Sequence, residues 1–250
     1  MSDHPAVKRT VVKHTVPSRA LPEGKRDTRI YLPPGYQETL SYPVVYCQDG
    51  EDFFNFGRIA TFAHRLILEE DWEPFIVVGV DVDKRVRTSE YLPGRDRHAS
   101  YTEFWTDELL PDIERHYAVR AAPNERLLAG DSLGATACLS AVAARPDLFT
   151  RVLSLSGAYY DVPGHPIAAL PDLSFLSVWM VVGLQETAFR TDTGVYDFVA
   201  LNRQMKQLLV SRGASVIYSE REGEHKWGFW QQLLPEALAA FLGPDPLIPG

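Results

Sequence analysis

Cysteine occurs only twice in this chain of 250 residues, at Cys47 and Cys138. So low a count rules out a disulfide framework, and no Cys/His cluster has metal-ligand spacing, so neither a metal nor any other cofactor is expected. Both cysteines fall in apolar stretches and are read as reduced packing thiols. A basic stripe is also missing: 25 Lys and Arg residues are scattered among 33 Asp and Glu, for a net charge of −8. Nucleic acid is therefore not an expected partner. No segment has the roughly eighteen uninterrupted apolar residues that a membrane span needs. Met1 to Ser18 holds no run like the core of a signal peptide. A soluble, cytoplasmic chain with no membrane partner is expected. Repeats and low-complexity linkers are absent too. One domain over residues 1–250 is expected, with residues 1–24 an N-terminal segment that carries an edge strand.

With 45% hydrophobic residues, the chain is long enough for one large core. Apolar runs bounded by turn residues predict eight strands, at Val7–Val16, Arg29–Leu32, Pro43–Cys47, Phe75–Val80, Arg126–Ala129, Val152–Leu155, Val178–Val182 and Ser215–Tyr218. Helical periodicity predicts helices at Arg58–Glu69, Tyr101–Tyr117, Leu133–Ala144, Phe198–Ser211 and Trp230–Phe241. Short turns join the first strands and helices join the later ones. This order predicts an α/β fold with a mainly parallel eight-stranded sheet, helices on both faces and an antiparallel hairpin at one edge. The segments Asp81–Ser100 and Ser156–Ser174 read as loops at the ends of strands, where ligands bind in such sheets.

Gly130-Asp131-Ser132-Leu133-Gly134, between a short apolar strand and an Ala-rich helix, has the spacing of a nucleophile elbow. Glycines two residues either side of the serine let a sharp strand-to-helix turn pack closely. The turn puts the Leu133 N–H at a helix N-terminus, where it can receive an oxyanion. A serine nucleophile needs a base and an acid that orients it, in the chain order Ser, acid, His. Of the seven histidines only His165 and His225 follow Ser132. His225 lies after the last predicted strand and is the expected base. His165 reads as a loop or pocket-wall residue, and His64 and His116 as partly buried or capping residues. Glu186 is the first carboxylate after Val178–Val182, and Asp192 and Asp197 remain open as the acid. The loop Gln48-Asp49-Gly50-Glu51 is the candidate source of a second oxyanion donor, the Glu51 N–H.

These stretches together resemble an esterase family of α/β-hydrolases that includes enterochelin esterases, the esterase D group and the mycolyltransferases. The resemblance runs from about Arg29 to Phe241. It is carried by Tyr42–Gly50, Arg87–Pro93, Phe104–Pro111, the elbow Gly130–Gly134, Arg145–Phe149, Ser154–Gly157 and the ending Gly223–Trp230. Ala135 departs from it, standing where many members have a further glycine. The resemblance implies an α/β-hydrolase fold and a serine esterase with Ser132 as nucleophile, His225 as base and Glu186 as acid, Gly183-Leu184-Gln185-Glu186 being similar to the Gly-x-x-Glu of enterochelin esterases. It carries the oxyanion hole over to Glu51 and Leu133.

The expected substrate is a small to medium ester, with siderophore-like esters among the candidates. Arg58, Arg85, Arg87 and Arg190 are candidate anion binders, Arg87 first among them. Phe53, Phe54, Trp105, Tyr159, Tyr160 and Trp227 are candidate walls, with Tyr159 and Trp227 favoured. An acyltransferase or thioesterase with the same triad, and a non-catalytic binding scaffold, are the alternatives. A homo-oligomer is left open.

Overall fold

The computed structural model describes residues 8–248. Its centre is an eight-stranded sheet built from β1 (Thr10–Pro17), β2 (Lys25–Leu32), β3 (Val44–Cys47), β4 (Ile76–Val80), β5 (Arg126–Asp131), β6 (Arg151–Leu155), β7 (Ser177–Gly183) and β10 (Ser215–Arg221). Their order across the sheet is β1-β2-β4-β3-β5-β6-β7-β10. Only β2 runs against the others, pairing antiparallel with β1 and with β4. Each of the eight predicted strands overlaps one of these, and Val7, the first residue of the first, lies outside the described residues. A two-stranded ribbon, β8 (Phe189–Arg190) with β9 (Val195–Tyr196), was not foreseen.

The central strands are buried on both sides, which is why they read as continuous apolar runs rather than alternating ones. In β3, Val44 and Tyr46 belong to the core on one face of the sheet, and Val45 and Cys47 to the core on the other. Helices α1 (Gly50–Asn55), α2 (Ile59–Glu69) and α8 (Trp227–Leu242) cover the second face. The first is covered by α4 (His98–Glu103), α5 (Leu110–His116), α6 (Leu133–Ala144) and α7 (Phe198–Ser211), together with α3 (Arg87–Tyr91). Cys47 and Cys138 sit in opposite cores as free, buried thiols, and burial pushes both thiols up from their ordinary range. No helix among the described residues is long and apolar enough to cross a membrane.

The predicted helix Tyr101–Tyr117 is in fact α4 and α5 joined by a wider, π-helical turn at Phe104–Leu109. Pro111 lies two residues beyond it, at the start of α5. Proline lacks the N–H that a regular helix would need there, and the changed winding lets the helical path continue through it. The loop predicted at Asp81–Ser100 contains α3 and the start of α4. The one at Ser156–Ser174 carries a 3-10 turn at Pro166–Ala169.

Candidate active site

Four strands of the sheet deliver the site at their C-terminal ends. From β5 the chain enters Ser132 with φ 52° and ψ −123°, a conformation few L-residues adopt, and starts α6 at Leu133. Gly130 permits this turn, because a Cβ there would lie 2.3 Å from the Gly134 carbonyl carbon. From β3 the chain turns through Asp49, at φ 50°, into α1. A Cβ on Gly134 would come within 3.0 Å of Gln48 Cβ, so the start of α6 packs directly on this turn. The N–H groups of Leu133 and Glu51 thus lie in the first turns of two neighbouring helices, where amides have no partner within their own helix.

The Ser132 hydroxyl donates to His225 Nε2 at 2.9 Å, and His225 Nδ1–H donates to Glu186 Oε2 at 2.6 Å. Glu186 follows β7 and is almost wholly buried. Its Oε1 accepts from the Gly183 N–H at 2.8 Å and the Ser156 hydroxyl at 2.7 Å. Ser156 in turn accepts from the Trp230 indole N–H at 2.8 Å. The carboxylate is thereby held by three donors, which fixes the orientation of the imidazole. Rings of Phe198, Phe189 and Trp230 surround His225, with centroids 4.2, 4.3 and 4.8 Å away.

The other two acid candidates are employed elsewhere. Asp192 accepts from the Thr88 hydroxyl at 2.8 Å, and Asp197 caps α7 by accepting from the Ala200 N–H at 2.9 Å. His165 is buried, donating from Nε2 to the Thr136 carbonyl and accepting at Nδ1 from the Ile167 N–H. Burial pushes its pKa down to about 4, so it stays neutral near neutral pH.

A crevice of about 480 Å³ opens over Ser132. Trp227, Tyr160, Phe189 and Trp230 line it, with Lys84, Arg87, Lys226, Asp52 and Asp192 among its polar residues. Several expected wall and binding residues are elsewhere. Tyr159 is fully buried, its hydroxyl bonded to Ser154 at 2.7 Å, and its neighbour Tyr160 faces the crevice instead. Phe53 and Trp105 are core residues, Arg58 and Arg190 are exposed, and Arg85 pairs with Asp83.

Arg87 does line the crevice, but its guanidinium is already committed. Nε and Nη2 donate to the two carboxylate oxygens of Asp49 at 2.7 and 2.8 Å. Lys84 adds bonds to Asp49 at 2.9 Å and to Asp52 at 2.6 Å. Burial alone would raise the Asp49 carboxyl, yet the two cations outweigh it and hold the group below the usual range. Asp131, in the elbow, has no such partner: its Oδ1 is buried without a hydrogen bond. Burial, reinforced by the Asp49 charge, pushes the Asp131 carboxyl up to about 7. The sequence reading did not single out Ser156, Lys84, Asp131 or Phe189. For Ser156 the only local signal was a serine-glycine pair closing a strand.

Strand order, elbow and the positions of these loops define the class: the protein is an α/β-hydrolase. It belongs to the esterase family described as "Putative esterase", whose model matches residues 18–241, and it is a carboxylic-ester hydrolase. The uncharacterized protein YjcH of Bacillus subtilis (strain 168) is 32% identical over 218 residues, which is 85% of this chain and 90% of that protein. Among solved structures, a ferulic acid esterase superposes with a TM-score of 0.77 at 20% identity, covering 94% of this chain and 98% of the other. The enterobactin esterase FES of Shigella flexneri superposes with a TM-score of 0.76 at 20% identity, with 93% of this chain covering 59% of that one.

Proposed function

We propose that the chain hydrolyses a small to medium, uncharged ester through an acyl-enzyme on Ser132. The observation that carries this reading is the unbroken series from Ser132 Oγ to His225 Nε2 at 2.9 Å and from His225 Nδ1 to Glu186 Oε2 at 2.6 Å. His225 takes the hydroxyl proton as Ser132 attacks the ester carbonyl, and Glu186 stabilises the resulting imidazolium. The N–H groups of Leu133 and Glu51 receive the oxyanion. His225 then protonates the departing alcohol, and water releases the acid by the same route.

The lining favours a neutral, aromatic or apolar substrate. Four aromatic rings face the crevice, while Arg87 and Lys84 are neutralised by Asp49 and Asp52, and Lys226 by Glu224. Ferulic acid, which names one structural neighbour, is an aromatic acid whose esters are neutral and of this kind.

The test is release of p-nitrophenol from acetate, butyrate and octanoate esters by the wild type and by folded Ser132→Ala, with mass spectrometry of acid-quenched reactions. Turnover by the wild type alone, with an acyl adduct on Ser132, is the expected result. Equal turnover by both proteins, or an adduct on another residue, would overturn the proposal.

A further inference from the structure

Away from the crevice, three residues with metal-ligating side chains meet where β1 faces α5. His14 lies on the same side of β1 as the inward-facing Val12 and Val16, and Asp112 and His116 are one turn apart on α5. One ligand atom from each lies within 4.8 Å of the other two. His14 Nε2 is 2.6 Å from Asp112 Oδ2, and His116 Nδ1 is 3.6 Å from the same oxygen. The two ring centroids are 4.9 Å apart and their planes meet at 55°, so the rings are adjacent without stacking.

We propose that His14, Asp112 and His116 form a binding site for a divalent transition-metal ion, with Zn²⁺ the best fit. Two imidazoles, one carboxylate and a water make a four-coordinate set that zinc accepts readily. His116 Nδ1, the ring nitrogen that lies beside the Asp112 carboxylate, also bonds the Asp112 carbonyl at 2.8 Å, which holds the ring in place; to ligate the ion it exchanges that bond for the metal. Ligands on one tetrahedral zinc are about 3.3 Å apart, so the ion needs His14 and Asp112 to separate by about 0.7 Å. The proton that they share leaves Nε2 as the metal takes its place.

Exposure fits the assignment. The His14 side chain is 16% exposed and that of His116 48%, which gives an ion access, while Asp112 at 9% is held firmly. Arg115 Nη1, 3.7 Å from Asp112 Oδ1, is the cation that competes for this carboxylate, and at 68% exposed it is free to turn into solvent. His14 and Asp112 are 98 residues apart, so no local spacing of ligands reveals the cluster. A bound ion would pin the outermost strand of the sheet to α5. None of the three residues lines the crevice, so binding can be measured independently of ester hydrolysis.

The experiment is titration of the untagged, chelator-treated full chain with Zn²⁺ by calorimetry and with Co²⁺ by visible absorption. Expected are one ion per chain with a Kd on the order of micromolar, and cobalt bands characteristic of a four-coordinate site. His14→Gln and His116→Gln should each weaken binding at least about tenfold, with p-nitrophenyl acetate turnover unchanged. At about a hundredfold excess over Kd, Zn²⁺ should raise the wild-type Tm by about 5 °C and leave the variants nearly unmoved. Equal affinity in wild type and both variants, or no binding tighter than millimolar, would overturn the proposal. If His14→Gln does not fold, His116→Gln, at the exposed end of α5, decides the question.

Discussion

Arg87 holds both carboxylate oxygens of Asp49 through Nε and Nη2, at 2.7 and 2.8 Å, beneath the crevice that opens over Ser132. Asp49 is the residue that turns the chain into α1, so this pair fixes the loop that carries the Glu51 N–H. Arg87→Met leaves a buried carboxylate with Lys84 as its remaining cation. The variant is expected to lose about 3 kcal/mol of stability in urea unfolding. Arg87→Lys should recover little of that, because an ammonium cannot make the two-pronged contact. A gain in wild-type selectivity for anionic over neutral p-nitrophenyl esters that disappears in Arg87→Lys would contradict this structural role.

Glu186→Gln tests the orienting carboxylate. A glutamine oxygen can still accept from Gly183 and Ser156, which turns its NH₂ towards His225 Nδ1. The imidazole is then forced to carry its proton on Nε2, facing Ser132, and cannot act as a base. A fall in kcat of about 10³-fold or more is expected, with the far-UV spectrum intact. Asp197→Ala should leave kcat within about twofold while costing about 1 kcal/mol of stability through the lost α7 cap. A reversed pattern would reassign the acid.

Backbone strain at Ser132 predicts opposite effects on activity and stability. At φ 52° and ψ −123° a residue with a Cβ is strained, by about 1–3 kcal/mol. Ser132→Gly relieves that strain, and the greater freedom of glycine in the unfolded chain offsets part of the gain. Thermal unfolding should find Ser132→Gly more stable than Ser132→Ala by about 1 kcal/mol, with both inactive. Equal stabilities would show that the elbow stores no strain.

Asp131 makes stability depend on pH in a definite direction. Its carboxyl, at about 7 in the folded chain, lies above its ordinary value of 3.8. Between those limits the native state therefore holds a proton that the unfolded state has lost. Stability contributed by this group is complete below about 4 and declines as the pH rises through about 7. Asp131→Asn cannot titrate, so its Tm should fall less than that of the wild type between pH 5 and pH 8. Parallel Tm profiles would refute the shift.

The strands were legible because β3 to β7 are buried on both faces and therefore continuously apolar. Helices under two turns, such as α1 and α3, are too short to show a period, and the two-residue strands β8 and β9 are too short to alternate. Local signatures served where both partners are close in sequence, as in the turn around Ser132. Long-range pairing escaped. Nothing near Arg87 indicates that Asp49, 38 residues earlier, occupies its guanidinium. Of the adjacent aromatics Tyr159 and Tyr160, one enters the core and the other the crevice. The neighbouring residues do not reveal which, because the choice depends on how Ser154 and Tyr196 meet them.

Trp230 stands edge-on to His225 at 4.8 Å, and its indole N–H is bonded to the same Ser156 hydroxyl that supports Glu186. Indole emission responds to the electric field across the ring. An indole in this position is a built-in optical probe of the proposed mechanism: charge appearing on the imidazole, or an acyl group settling on Ser132, would alter the field at a ring already in contact with His225. Single turnovers can then be followed by intrinsic fluorescence in a stopped-flow instrument, with natural, colourless esters and no attached label.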